Sequence, residues 1–188
     1  MKFIKYFLLA IVITNCSAQK QRDTSSKQET VEPINDQRFP DNILGSYKGD
    51  LIIKNAKGEQ IIGMEFHIKA TDSVGKYDYQ IVYIMDGNRQ ERNYSLITMD
   101  ASKGEFVVDE NNGILLSAKV YDNRLYSVFE VQGNLLFTIE EFYDDHMIFQ
   151  IIFSKANEKT ESGGEQNNVP SVFSYPISVS QRAKLIKQ

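Results

Sequence analysis

The chain has 188 residues but only one cysteine, Cys16, and no tryptophan. A single cysteine cannot form an internal disulfide, so the folded protein must be stabilised by the packing of its core. The large side chains available for that core include 11 phenylalanines and 10 tyrosines. A chain of this length suffices for one domain with a full hydrophobic core.

Long apolar runs and clusters of basic residues are also missing. The unbroken apolar run over residues 7–13 is far shorter than the ~20 residues that cross a bilayer as a helix. The formal net charge is −4, and loss of Lys2 and Lys5 with an N-terminal signal would make it −6. Nucleic acids and anionic lipid head groups attract basic surfaces, so we expect neither as a direct partner.

The common sequence patterns of catalysis and metal binding are absent. The two histidines, His67 and His146, have no histidine or cysteine at a metal-ligand spacing. The sequence contains no G-x-S-x-G elbow, glycine-rich phosphate loop or H-E-x-x-H motif. Adjacent acids such as Glu140 and Glu141 would lie on opposite faces of a strand. We therefore expect a protein that is not an enzyme and that carries no metal or other cofactor.

The N-terminus has the layout of a secretory signal, with two lysines, an apolar run and then a short polar stretch. The sequence ITNC, residues 13–16, resembles the lipobox of bacterial lipoproteins. That resemblance implies that residues 1–15 are a signal peptide and that Cys16 becomes the lipidated first residue.

A second cleavage site competes with the lipobox. Cys16-Ser17-Ala18 is a small-x-small sequence, and cleavage after Ala18 would leave a soluble periplasmic or secreted protein. The position of the cysteine directly after the apolar region favours the lipoprotein. Residues 16–38 are polar without apolar periodicity and predict a disordered tether, which also suits an anchored domain. We therefore expect a bacterial envelope protein, anchored by lipid in the outer membrane.

From Phe39 onward, short apolar runs alternate with turn residues. Nine segments show the period of two that is typical of strands with one buried face: 47–55, 61–70, 76–85, 92–100, 104–110, 113–121, 124–131, 134–143 and 146–155. Short connectors such as QGN are typical of hairpins and favour an antiparallel up-and-down meander. Closure removes the edges of so long a sheet, so we predict an all-β barrel of about eight to ten strands over residues 39–188. A two-sheet sandwich is the alternative.

The last part of the chain is less regular. Residues 155–170 are polar and contain glycine, which predicts a mobile loop. Residues 173–179 predict a final strand that closes the barrel, with Pro176 confining it to an edge. A short helix over residues 180–186 is the alternative.

The alternation predicts which side chains point into the barrel. If each apolar face points inward, the interior is lined by Tyr47, Leu51, Phe66, Ile68, Tyr79, Tyr83, Leu116, Phe129, Phe137 and Phe149. A barrel of about eight to ten strands either fills with such side chains or leaves space for one apolar ligand. Alternation alone does not distinguish a filled core from a cavity.

Polar side chains on an inward face would fix the head group of a ligand. Arg92 and Tyr94 share a face, where a cation and a hydroxyl would hold a carboxylate. Arg124 and Tyr126 repeat the spacing, but their face is predicted to point outward. The candidate ligand-binding residues are therefore Tyr47, Phe66, Tyr79, Tyr83, Arg92, Tyr94, Phe129, Phe137 and Phe149.

The start of the first strand resembles a known family. Gly45-Ser46-Tyr47 is similar to the G-x-W motif of the lipocalins, with Tyr47 in place of the tryptophan. Arg182 resembles the late arginine that packs over the first-strand aromatic ring in that family. This resemblance to the calycin group, the lipocalins and fatty-acid-binding proteins, covers residues 39–188 and implies a barrel that holds a small hydrophobic molecule.

These observations predict an exported envelope lipoprotein whose lipocalin-like barrel binds or carries a small hydrophobic ligand. The alternative is a non-enzymatic interaction or structural module of the envelope, with a filled barrel and a binding surface on its loops. No pattern in the sequence identifies a protein partner.

Overall fold

The computed structural model describes residues 39–164 and 168–188. The predicted signal peptide (1–15), the tether (16–38) and the lipidation site Cys16 lie outside the described residues. Within the described part of the chain, no helix combines the length and the apolar character needed to cross a membrane.

Ten of the described strands form one closed antiparallel barrel. The strands of the described chain are β1 (Gly45–Asn55), β2 (Gly58–Ala70), β3 (Lys76–Met85), β4 (Asn88–Asp100), β5 (Glu105–Asp109), β6 (Leu115–Tyr121), β7 (Arg124–Val131), β8 (Asn134–Phe142), β9 (His146–Lys155), β10 (Thr160–Gly164), β11 (Val169–Ser174) and β12 (Ile177–Lys187). Neighbours pair in chain order from β1 to β9, and β12 closes the barrel between β9 and β1. The predicted all-β meander barrel is confirmed, and the sandwich alternative is wrong.

Tight turns set the register of the hairpins. Asp86 and Gly87, between β3 and β4, have φ angles of 51° and 78°, and Gln132 and Gly133, between β7 and β8, have 49° and 74°. Positive φ at both central residues is the geometry of the hairpin turn whose twist matches that of the strands. Each of these two-residue turns fixes the register between its two strands. The inward and outward faces of one strand therefore determine those of the next.

The end of the chain differs from its prediction. Residues 155–170 were expected to be a loop, but they include a 3₁₀ turn at Ala156–Glu158, all of β10 and the start of β11. β10 and β11 pair with each other in a separate two-stranded sheet. The apolar residues near 173 therefore belong to this hairpin, and the closing strand begins only at Ile177.

The helix alternative for residues 180–186 is wrong because these residues lie inside β12. That strand pairs with β1 on one side and with β9 on the other. Main-chain hydrogen bonds to two neighbours and burial of alternate side chains outweigh the weak helix preference of a short segment. Pro176 lies just before β12, where its missing N–H removes no hydrogen bond from the barrel.

An aromatic cluster fills one end of the barrel. Its rings are edge-on or tilted to each other, with centroids 5.1–6.3 Å apart, and they belong to Phe39, Tyr47, Phe66, Phe106 and Phe142. The Tyr47 hydroxyl donates a hydrogen bond of 2.7 Å to the carbonyl of Ile43, in the segment that leads into β1. Burial raises the pKa of Tyr47 to about 12, so this hydroxyl stays a donor.

The cation beside Tyr47 is not the predicted one. Arg182 is opposite Ile52 in the register of β12 and β1, on the outer face of the barrel. Lys187 is instead opposite Tyr47, and its Nζ lies 5.6 Å from the centre of the tyrosine ring. The prediction for Arg182 is therefore wrong because its position in β12 has the outward parity.

Candidate ligand-binding cavity

Beyond the aromatic cluster, the barrel encloses an open cavity of about 490 Å³. Side chains from all ten barrel strands line it, and most of them are aliphatic or aromatic, among them Leu51, Ile81, Leu116, Leu136, Phe149 and Ile151. The partly exposed lining residues Met85 and Val131 lie at the ends of β3 and β7 and mark the mouth. The barrel is thus packed at one end and open at the other.

The cavity brings together six of the nine predicted ligand-binding residues: Tyr79, Tyr83, Arg92, Tyr94, Phe129 and Phe149. The inward placement of Arg92 and Tyr94 is confirmed. Tyr47 and Phe66 also point inward, but they are fully buried in the aromatic cluster and do not line the cavity.

Phe137 does not point into the barrel, so its predicted inward position is wrong. Its side chain is 37% exposed on the outer face. Phe129 on β7 pairs directly with Leu136 on β8, and directly paired residues point to the same face. Because Phe129 and Leu136 both line the cavity, alternation turns Phe137 outward and Glu140 inward.

Glu140 is the functional candidate that the sequence did not reveal. It lines the cavity, yet only 4% of its surface is exposed. The Tyr79 hydroxyl donates a short hydrogen bond to Glu140 Oε1. The other oxygen, Oε2, has no hydrogen-bond partner among residues 39–164 and 168–188.

Burial controls the ionisation of this carboxyl group. Loss of hydration raises the pKa of Glu140 to about 7, against the opposing effect of the Tyr79 hydrogen bond. The pKa of Tyr79 is raised well above its usual value, first by burial and then by the carboxylate beside it. Tyr79 therefore remains a donor, and Glu140 exchanges its proton near neutral pH.

Other polar side chains also line the cavity, among them Tyr83, Arg92 and Tyr94. Burial raises the pKa of Tyr83 to about 12, and it also raises that of Tyr94. The rings of Tyr79 and Tyr94 are stacked with their centres 6.2 Å apart. Arg92 lines the cavity but is exposed to solvent at the mouth. The cavity thus has an exposed cation, Arg92, at its mouth and a buried carboxyl group, Glu140, in its wall.

A second buried glutamate shows the opposite behaviour. Glu65 lies on the outer face. Its Oε2 is 2.8 Å from Arg89 Nη2 and 3.1 Å from His67 Nε2, and its Oε1 is 3.3 Å from Lys48 Nζ. These donors, Arg89 above all, lower the pKa of Glu65 to about 2 despite its burial. Glu65 is a satisfied structural carboxylate, whereas Glu140 Oε2 is buried without a hydrogen-bond partner in the described part of the chain.

The polar groups of the described chain do not form a metal site: no three His, Cys, Asp or Glu side chains of residues 39–164 and 168–188 are gathered for one. As predicted, Arg124 lies outside the cavity, where it donates to Glu141 at 2.6 Å. The cavity lining, largely apolar with a few polar groups, is typical of sites that hold small organic molecules.

Comparisons with known proteins identify the fold but no family. No family model matches the chain, and no curated protein matches it. Among solved structures, an S-type phycobiliprotein lyase from Guillardia theta is similar with a TM-score of 0.55 and 8% sequence identity, over 81% of this chain and 92% of that chain. A likeness at this identity shows the fold alone. The chain forms a lipocalin-like barrel.

Proposed function

We propose that this protein binds or carries one small hydrophobic ligand inside its barrel. The observation that carries the proposal is the open cavity of about 490 Å³ with its largely apolar walls. Pockets of this size and character bury most of the surface of a small ligand. The cavity favours ligand binding over the alternative of an envelope module with a filled barrel.

The proposed activity is binding without chemical conversion. The similar structure is named a lyase, but a likeness of 8% identity supports only the shared barrel and carries no reaction to this chain. On this proposal, a bound ligand is recovered unchanged after prolonged incubation, as mass spectrometry of the extracted ligand would show. Conversion of the ligand would contradict it.

An apolar dye tests the binding function directly. Nile red, which has no N–H group, should gain fluorescence on entering the cavity. Phe129→Arg places a charge on the cavity wall and should weaken dye binding about tenfold or more, since a charge in an apolar site is costly. Val128→Arg is the matched control, because Val128 directly precedes Phe129 in β7 and is 57% exposed on the outer face.

Equal dye binding by the Phe129→Arg and wild-type proteins, with both folded, would contradict the proposed cavity site. So would a fluorescence gain that Val128→Arg removes to the same extent. Circular dichroism of each variant establishes that the barrel is folded before the affinities are compared.

We further propose that the barrel is exported and anchored to the bacterial envelope through lipid on Cys16. The lipobox-like sequence at residues 13–16 and the polar segment 16–38 support this placement. Cys16→Ala should move the protein from the membrane fraction to the soluble fraction. Unchanged partition, or a mature mass that begins at Gln19 without acyl chains, would overturn the anchor.

A further inference from the structure

We propose that the ligand is a hydrophobic amine whose protonated nitrogen donates a hydrogen bond to Glu140 Oε2. This inference rests on the proposed ligand-binding function and specifies the chemical class of the ligand. It begins from the carboxyl group of Glu140, which lines the cavity. Its Oε1 accepts a hydrogen bond from Tyr79, and its Oε2 has no partner among the residues that the structure describes.

The Oε2 atom of Glu140 is a buried acceptor for which a hydrogen-bond donor is expected. Nearly all buried polar atoms in folded proteins are hydrogen-bonded, because removing an unpaired polar atom from water is unfavourable. Glu140 Oε1 accepts from Tyr79, whereas Oε2 is buried without a partner in the described chain. Because Glu140 lines the cavity, a donor carried by the ligand would complete its hydrogen bonding.

The surroundings of Glu140 favour a cationic donor. The rings of Tyr79, Tyr83 and Tyr94 line the same cavity, and aromatic faces attract cations. Burial also keeps the pKa of Glu140 near 7, and a bound ammonium would favour its ionised form. An ammonium therefore gains from both the carboxylate and the rings, whereas an anionic head group would be repelled by the carboxylate.

Arg92 offers the competing arrangement, in which a ligand carboxylate binds at the mouth. Arg92 is exposed, so water and salt screen its charge, and Glu110 also lines the cavity and lowers the local positive potential. Glu140, in contrast, is 4% exposed, and its interactions are weakened far less by solvent. The interaction of the ligand head group with the buried Glu140 should therefore be stronger than its interaction with the exposed Arg92.

Three ligands of equal chain length test the inference: octylamine, octan-1-ol and octanoate, each used to displace Nile red at pH about 8, where the amine is still protonated. Octylamine should displace the dye at concentrations about tenfold or more below those of the other two. Equal or tighter binding of octanoate would overturn the inference in favour of Arg92. Equal binding of octanol would also overturn it, because recognition would then not depend on charge.

Glu140→Gln isolates the residue. The glutamine keeps a carbonyl oxygen for Tyr79 but has an NH₂ group, which cannot accept a hydrogen bond from an ammonium, in place of Oε2. Octylamine should therefore bind about tenfold more weakly, while Nile red binds within about twofold of wild type. Glu141→Gln is the matched control, since Glu141 lies on the outer face with Arg124. If Glu140→Gln does not fold, Glu140→Met replaces it, with Nile red binding as the measure of an intact cavity.

The outcomes separate the two proposals. Nile red binding with no preference for octylamine, or a preference that survives in Glu140→Gln, would overturn the amine and leave the apolar binding function standing. Failure of the wild-type protein to bind Nile red or any of the three octyl compounds would overturn the binding function itself.

Discussion

Glu140 lies in surroundings that ordinarily exclude a carboxylate. It is 4% exposed, and burial raises its pKa from 4.5 to about 7. A raised folded-state pKa means that the folded protein holds the proton more tightly than the unfolded chain does. The contribution of Glu140 to the free energy of unfolding is therefore fully present below pH about 4.5. It falls as the pH rises toward 7, and it levels off above that pH.

The charge-neutral variant Glu140→Gln should remove this pH dependence. Relative to wild type, its free energy of unfolding should rise by about 3 kcal/mol between pH about 4.5 and pH about 8, at about 1.4 kcal/mol for each unit by which folding raises the pKa. Urea denaturation at the two pH values measures the difference, in which the titration of other groups cancels.

The neighbour Glu141 supplies the control for that measurement. Folding lowers the pKa of Glu141, so Glu141→Gln should lose stability relative to wild type as the pH rises through the acidic range. A pH-independent difference between Glu140→Gln and wild type would show that the buried carboxyl group does not titrate as described.

The seam between β1 and β12 is the element on which closure of the barrel depends. The two strands pair from Tyr47 opposite Lys187 to Asn55 opposite Val179. A Cβ atom at Gly49 would lie 2.4 Å from the carbonyl oxygen of Lys184 and 3.3 Å from the Leu185 side chain. Any side chain at this position must push the backbones of the two strands apart.

Gly49→Ala should therefore destabilise the barrel by about 1–3 kcal/mol, as overpacking commonly does. For a domain of this size, that loss lowers the melting temperature by roughly 3–10 °C. Differential scanning calorimetry gives the shift, with Asp50→Ala, at the adjacent exposed position of β1, as the control. A Gly49→Ala melting temperature equal to that of Asp50→Ala would show that the seam accommodates the methyl group.

The interior of the barrel consists of a packed region and a cavity. The aromatic cluster around Tyr47, Phe66 and Phe142 fills one end, and the cavity occupies the other. Because every barrel strand contributes to the cavity wall, a ligand bound there contacts the folded barrel and not the unfolded chain. Binding and global stability are consequently linked.

A ligand that enters the cavity should raise the melting temperature of the whole protein. At about 100 times its dissociation constant, octylamine should stabilise the fold by about 2.7 kcal/mol, which corresponds to roughly 5–10 °C. A thermal melt with and without the amine measures the shift, and Phe129→Arg should abolish it. A shift that is equal in Phe129→Arg would place the binding elsewhere on the molecule.

The path of the chain through the barrel could be predicted because its physical cause is local. Period-two alternation and short turns define nine strands, and the nine predicted segments correspond to β1–β9. The last strand was misplaced because residues 169–174 and 177–187 are both apolar enough for a strand. Only the pairing of β10 with β11, and of β12 with two barrel strands, distinguishes them.

Glu140 was missed for a different reason. The aromatic residue Phe137 suggested that its own face of β8 pointed inward, since burial usually follows hydrophobicity. The tight turn at Gln132-Gly133 was the available signal, because it makes Leu136 the direct partner of Phe129 and so turns Glu140 inward. Register outweighed hydrophobicity on this strand.

The amino-acid sequence by itself determined the strands, their antiparallel order and the inward faces of most of them, since these follow from side-chain alternation and turn chemistry. The tertiary structure alone decided that one end of the barrel is packed and the other open, and that Lys187 rather than Arg182 lies over Tyr47. It also decided that one carboxyl oxygen of Glu140, a residue of the cavity wall, has no hydrogen-bond partner within residues 39–164 and 168–188. The physical reason is that volume, register across the closing seam and hydrogen-bond satisfaction arise from contacts between residues far apart in the chain, and local pattern does not contain them.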